Sequence, residues 1–161
     1  AIEAMKILKE KNILFEYHII GDGEQKEELM YMIKELNLAK NIFLHGKKTQ
    51  EEMLTIYSET DIYIQPSVQE GFCNSVLEAQ SVGLLTIVTN AEGLQENVLN
   101  NKTGFVIEKR NSTQLAEKIM EVIQLSDEQK KLISQTASER VAKEFTLEIQ
   151  KKKFEEFYNT I

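Results

Sequence analysis

Short apolar runs alternate along this chain with longer amphipathic stretches. The runs are LFEYHII (residues 14–20), IFL (42–44), IYI (62–64), LLTIV (84–88) and FVI (105–107). Each is short and rich in β-branched or aromatic side chains, so each predicts a buried strand. The stretches between them repeat at helical spacing. Ile2, Met5 and Leu8 share one face, and Leu29, Ile33 and Leu36 share another. Thr49 followed by Glu52 spells a capping box, opening a helix that carries Met53, Ile56 and Tyr57. Asn74 is a good N-cap residue, and SVLEAQSV then runs as a helix to Gly83.

Beyond residue 107 the pattern becomes purely helical. Asn111 with Gln114, Ser126 with Gln129, and Thr146 predict three helix starts. The first helix carries Leu115, Ile119 and Val122 on one face; the second carries Ile133, Ala137 and Val141. The third carries Phe154, Phe157, Tyr158 and Ile161, a face that packs on this chain's own sheet or docks on a partner domain. The alternation of strands and helices predicts an α/β fold. It is a Rossmann-like parallel sheet flanked by helices, one domain over residues 1–161 with a helical C-terminal tail.

Composition narrows the classes. The chain has 161 residues, 42% of them hydrophobic, enough for an ordinary folded domain with a core. No apolar run approaches the ~20 residues of a membrane span. A net charge of −7 disfavours a nucleic-acid backbone as partner. The single cysteine, Cys73, can form no internal disulfide and fits a reducing compartment. The first helical pattern starts without a Met or a cap, which predicts that the natural sequence extends upstream.

Open parallel sheets bind ligands beyond the carboxyl ends of their strands. Three such loops carry unusual residues. The first is GDGE, where Gly21 and Gly23 permit a sharp turn and close approach to a ligand. It lacks the third glycine of a dinucleotide fingerprint, and a plain strand-to-helix turn explains it equally. The second is HGKK. Gly46 can bring backbone amides near a flat base, and Lys47 and Lys48 can meet an anion; a solvated turn is the other reading.

The third loop is PSVQEGFCNS, residues 66–75. Gly71 allows a bend, and the amides near Phe72, Cys73, Asn74 and Ser75 lie at a helix N-terminus, where free N–H groups and the dipole attract anions. Glu70 stands on the approach and Glu78 about one turn inside. Carboxylates repel phosphate but accept hydrogen bonds from hydroxyls. The pair therefore suits a ligand with an anionic middle and hydroxyls on both sides, such as a nucleoside diphosphate sugar. On the other reading Glu78 only complements the helix dipole and Glu70 is merely solvated. Metal ligands are sparse: the aspartates are Asp22, Asp61 and Asp127, without an Asp-x-Asp. His18, within a strand, reads as a packed or hydrogen-bonded histidine rather than a ligand, and Cys73 as a small packed side chain.

In full, PSVQEGFCNSVLEAQSVG resembles the signature of retaining glycosyltransferases of the family 4 type. Pro66, Ser67, Glu70, Gly71, Phe72, Glu78, Ala79 and Gly83 all match it. The glycine loop at Gly21, the strand end from Phe43 to Gly46, Asp61, Gly93 with Glu96, and Thr103 with Gly104 match further segments in order. The resemblance covers almost the whole chain. It departs at Cys73, where Pro or Gly is frequent, at Gln80, where Met is frequent, and at Ser81 with Val82, which replace a more usual Ala-x pair.

That resemblance implies a GT-B fold, two Rossmann-like domains with the active site in the cleft between them. This chain would be the C-terminal, donor-binding half. The N-terminal acceptor domain, this domain's first strand, and the Arg and Lys that neutralise the diphosphate would all precede Ala1. It implies Glu78 on the ribose hydroxyls and Glu70 as the catalytic carboxylate against the donor sugar. The backbone from Gly71 to Asn74 would serve the sugar and the diphosphate. Gly46, Lys47 and Lys48 would lie near the base, and Gly21 and Gly23 would line the same cleft.

The implied reaction is retaining transfer of a hexose from a nucleoside diphosphate sugar to an acceptor hydroxyl, without cofactor or metal. It would serve cell-surface polysaccharide or glycoconjugate synthesis in the cytoplasm or at the inner membrane face, with peripheral membrane contact through the missing domain. The isolated chain is then expected to be inactive. A nucleotide-sugar epimerase of the same fold and a non-catalytic nucleotide-binding module are the alternatives.

Overall fold

The computed structural model describes residues 1–158. Within them the chain forms two compact units, residues 1–59 with 111–123, and residues 60–110 with 124–158.

The first unit begins with α1 (Ile2–Glu10), whose Ile2, Ala4, Met5 and Leu8 are all buried. The spacing of these residues is the reason: they fall on one helical stripe, and burying it gives a short helix its stability. β1 (Tyr17–Ile20) follows, then α2 (Lys26–Glu35), β2 (Ile42–Gly46) and α3 (Gln50–Ser58). β1 and β2 pair in parallel, Tyr17 opposite Ile42 and Ile19 opposite Leu44. β1 is shorter than the apolar run that predicted it, because Leu14 turns out to solvent, 97% exposed. The Thr49 hydroxyl accepts from the Glu52 N–H and the Glu52 carboxylate accepts from the Thr49 N–H, completing the capping box of α3. Asn12 and Asn37, just past the ends of α1 and α2, adopt positive φ angles of 58° and 54°. Asparagine tolerates that left-handed conformation better than most side chains.

In the second unit β3 (Ile62–Gln65), β4 (Leu85–Thr89) and β5 (Phe105–Ile107) form a parallel sheet in that order. β4, in the middle, is buried along its whole length, which explains its unbroken apolar and Thr composition. α4 (Asn74–Ser81) crosses from β3 to β4, and a short helix, α5 (Leu94–Asn97), follows β4. Sequence periodicity gives no sign of α5, which is too short to show a stripe. Cys73, Val76, Val88, Ala91, Leu94 and Val98 form a core cluster between these elements, with Tyr63 and Val106 against it.

The helical tail comprises α6 (Ser112–Gln124), whose buried face belongs almost wholly to the first unit, then α7 (Asp127–Glu144) and α8 (Leu147–Tyr158). All three predicted caps form: Asn111 Oδ1 accepts from Gln114 N, Ser126 with Gln129 makes a full capping box, and Thr146 Oγ1 accepts from Ile149 N. On α8, Phe157 and Tyr158 are both 63% exposed and meet edge to face. The Phe154 side chain and Ile161 lie outside the described residues.

Candidate functional site

Each unit gathers its own part of the predicted site. In the first, Gly21, just after β1, meets Gly46, the last residue of β2: Gly21 N–H donates to the Gly46 carbonyl at 2.9 Å. Gly21 (φ 134°) and Gly46 (φ 68°) hold backbone angles that side chains resist, although a Cβ at either position would stand in open space. Conformation rather than crowding therefore demands glycine. Gly23 has no such angle; its N–H is held by the Asp22 carboxylate at 3.2 Å. Lys47 is exposed, whereas the Lys48 ammonium is bonded to the Glu52 carboxylate at 2.8 Å. That bond, with the Thr49 amide, brings the Glu52 pKa down to about 2.

His45 stands beside this loop. One nitrogen of its ring lies 2.8 Å from one of His18, and the two rings stack. Partial burial, then the neighbouring His18 and Lys48, hold the His45 imidazole below the usual histidine range.

In the second unit the signature segment wraps the start of α4. Glu70 is half-buried and fixed by a relay that begins on β3. Tyr63 O–H donates to Gln65 Oε1 at 2.6 Å, and Gln65 Nε2 donates to Ser67 Oγ at 2.8 Å. Ser67 O–H donates to Glu70 Oε2 at 2.9 Å, with Gln65 Nε2 a further 3.4 Å away. The Ser67 backbone is held in turn, its carbonyl accepting from Thr89 Oγ1 on β4. One carboxylate oxygen of Glu70 is thus occupied by the protein.

The predicted N-cap is displaced by one residue. Cys73 occupies the N-cap position in extended conformation, Asn74 is the first helical residue, and no side chain caps the helix. The local cause is Asn97, whose side chain holds Cys73 by both its N–H (3.1 Å) and its C=O (3.2 Å). The first-turn amides of α4 consequently have no capping side chain of the helix's own. Burial pushes the Cys73 thiol pKa up, with Glu70 and Glu78 adding to it against the amides of Val76 and Ser75. Both carboxylates therefore bear electrostatically on the same residue at the helix start. Glu78 itself is exposed, one turn into α4.

Gly71 lies in the bend expected of it, without a positive φ. The required glycine is Gly93, at the start of α5. Its N–H donates to the Glu70 carbonyl at 3.2 Å, and a Cβ there would stand 1.6 Å from the Gly71 carbonyl oxygen.

One departure from the signature, Gln80, has a structural reason. Gln80 is fully buried and donates to the Thr103 carbonyl at 2.9 Å, tying α4 to the turn before β5. Ser81 and Gly83 offer carbonyls to the hydroxyls of Ser138 and Ser134 on α7. Sequence reasoning missed Gln65 and Asn97 altogether. Gln65 reads only as a strand end, and Asn97 lies inside the helix that periodicity cannot show.

Residues 1–139 match the family described as Glycosyl transferases group 1, and the chain belongs to that family. It is 30% identical over 163 residues to the capsular polysaccharide biosynthesis glycosyltransferase CapM of Staphylococcus aureus, covering 99% of this chain and 41% of that protein. A glycosyltransferase from Rickettsia africae superposes with a TM-score of 0.90 at 29% identity, over 99% of this chain and 42% of that one. A Staphylococcus aureus TarM variant, crystallised with UDP among its ligands, superposes with a TM-score of 0.85 at 25% identity, over 98% of this chain and 32% of that one. The expected α/β class holds: parallel strands flanked by helices, as in one half of a GT-B glycosyltransferase. The chain spans about two fifths of the length of relatives that it matches over nearly all of its own.

Proposed function

We propose that residues 1–161 are the donor-binding domain of a retaining glycosyltransferase that takes its sugar from a nucleoside diphosphate. The observation that carries this reading is the start of α4, a helix without a side-chain cap, preceded by the hydrogen-bonded Glu70 and followed one turn on by the exposed Glu78. Family membership supports transfer of a sugar, and a relative named for capsular polysaccharide biosynthesis supports such a setting. UDP bound to TarM supports a nucleoside diphosphate as the donor's carrier.

On this reading Glu78 accepts the ribose hydroxyls and Glu70 the donor sugar hydroxyls. Gly71, Phe72, Cys73 and Asn74 supply the backbone that faces sugar and diphosphate. Gly46, Lys47 and Lys48 adjoin the base, and Gly21 and Gly23 complete the lining. Departure of the diphosphate builds negative charge on its oxygens. Preorganised positive potential lowers that barrier. The helix dipole and the first-turn amides of α4 contribute part of it. No metal enters the step, and the domain works with an acceptor-binding partner domain in the cytoplasm or at the inner face of the cytoplasmic membrane.

The test is turnover by the intact protein with UDP-, GDP- and ADP-glucose. The reading expects nucleoside diphosphate released from one of them, an α-configured anomer formed first, and no loss of rate in EDTA. Epimerised nucleotide sugar without release would favour the epimerase instead. Saturable binding without turnover would leave only a binding module.

A further inference from the structure

The loop that leads into α4 is clamped from behind, and one residue is the centre of the clamp. Asn97 is completely buried, with 0% of its surface exposed. Its carboxamide uses both ends on one residue: Oδ1 accepts from the Cys73 N–H and Nδ2 donates to the Cys73 carbonyl. A side chain thus imitates a neighbouring strand, fixing the peptide planes on both sides of Cys73. Those planes set the direction in which α4 presents its first amides.

Asn97 is itself held from α7. The Arg140 guanidinium donates through Nη1 to the Asn97 carbonyl at 2.8 Å and through Nη2 to the Glu96 carbonyl at 2.9 Å. It thereby closes the C-terminal end of α5. The same guanidinium lies 4.9 Å from the centroid of Phe145, and Phe145 lies 5.6 Å from Phe72, the residue before Cys73. The circuit returns to the loop where it began. At the other end of α5, Gly93 holds the Glu70 carbonyl and leaves no room between the two backbones. All of these contacts lie within the second unit.

We propose that Asn97 is a positioning residue for the donor diphosphate, aiming the α4 amides through Cys73, with Arg140 as its anchor. The inference rests on the donor-site reading above. A polar network that is fully satisfied in a buried site fixes one geometry, and removing one member leaves its partners unpaired. Losing the Asn97 carboxamide frees the buried Cys73 peptide groups to turn towards other partners, and the helix start turns with them. Asn97 grips Cys73, a full turn of α4 before Glu78, and the base lies outside the circuit, so the cost should fall on the diphosphate rather than on the nucleoside.

The experiment titrates the intact protein with UDP, GDP and ADP, and with uridine, guanosine and adenosine, for wild type, Asn97→Ala and Arg140→Lys. Thermal unfolding is recorded for each. The preferred nucleoside diphosphate should weaken about tenfold in Asn97→Ala while its nucleoside binds as before. Arg140→Lys keeps the charge but loses the two-pronged grip, and a smaller loss confined to the diphosphate is expected. It also serves if Asn97→Ala does not fold. Unchanged diphosphate affinity, or equal losses for nucleotide and nucleoside, would overturn the assignment of Asn97 while leaving the donor site standing. Failure of wild type to bind any of the three diphosphates would overturn both together.

Discussion

One carboxylate oxygen of Glu70 is already taken, because Ser67 and Gln65 hold Oε2. A carboxylate fixed in this way keeps a defined rotamer and leaves its other oxygen for a sugar hydroxyl. Gln65→Ala should therefore lower kcat about tenfold with nucleoside diphosphate affinity unchanged. Equal loss of UDP, GDP and ADP affinity would assign Gln65 to the fold instead. His45 provides a second test at this scale. Its pKa is lowered by burial first and by His18 and Lys48 next. The folded chain then binds fewer protons than the unfolded chain just below the ordinary histidine value of about 6.5. Stability should be full above that pH and fall as pH drops through the folded value. An NMR titration should place the His45 midpoint below that of a model histidine and move it up in His18→Ala. A midpoint at or above the ordinary value would contradict the description of the pair. The places of Glu70 and Glu78 were legible because the signature spaces them on either side of a helix start. The relay behind Glu70 was not, since Tyr63, Gln65 and Ser67 alternate along a strand end and its exit, and nothing in their order announces hydrogen bonds.

At the scale of elements, α4 is held at both ends and along its buried side. Asn97 fixes its start, and Ser134 and Ser138 of α7 bond carbonyls at its end. Gln80 ties its buried side to the turn at Thr103. Gly93→Ala should destabilise the protein by about 1–3 kcal/mol or more in denaturant unfolding, since the new methyl must displace the Gly71 backbone. Gly71→Ala should cost much less, because a Cβ there meets nothing within 4 Å. The reverse order would contradict the packing. In the first unit, Thr49→Ala should cost about 1 kcal/mol by removing half of the α3 capping box. The elements themselves were largely readable, because stripes, capping boxes and β-branched runs are local signals. The start of α4 was misread by one residue, since Asn74 has the chemistry of an N-cap but a distant residue, Asn97, decides where the helix begins. α5 was invisible for the same reason that Asn97 was.

For the whole molecule, the chain belongs to the Glycosyl transferases group 1 family and spans about two fifths of the length of relatives that it matches. The α/β architecture was legible from the alternation of apolar runs and amphipathic stretches. Its division into two units, each with its own parallel ladder, was not, because strand order depends on contacts that sequence pattern leaves unspecified. Residues 1–161 alone should give no transfer with any of the three glucose donors, and turnover by them would remove the need for groups upstream. The central claim is that the start of α4 receives a nucleoside diphosphate. An amide-resolved NMR titration of the intact protein with UDP, GDP and ADP, repeated on Glu78→Ala, tests it most directly. The account predicts saturable shifts over residues 72–78 and at Gly46, Lys47 and Lys48 with one nucleotide, and about tenfold weaker binding in the variant through loss of the ribose contact. Saturation by none of the three, or shifts that spare residues 72–78, would contradict it.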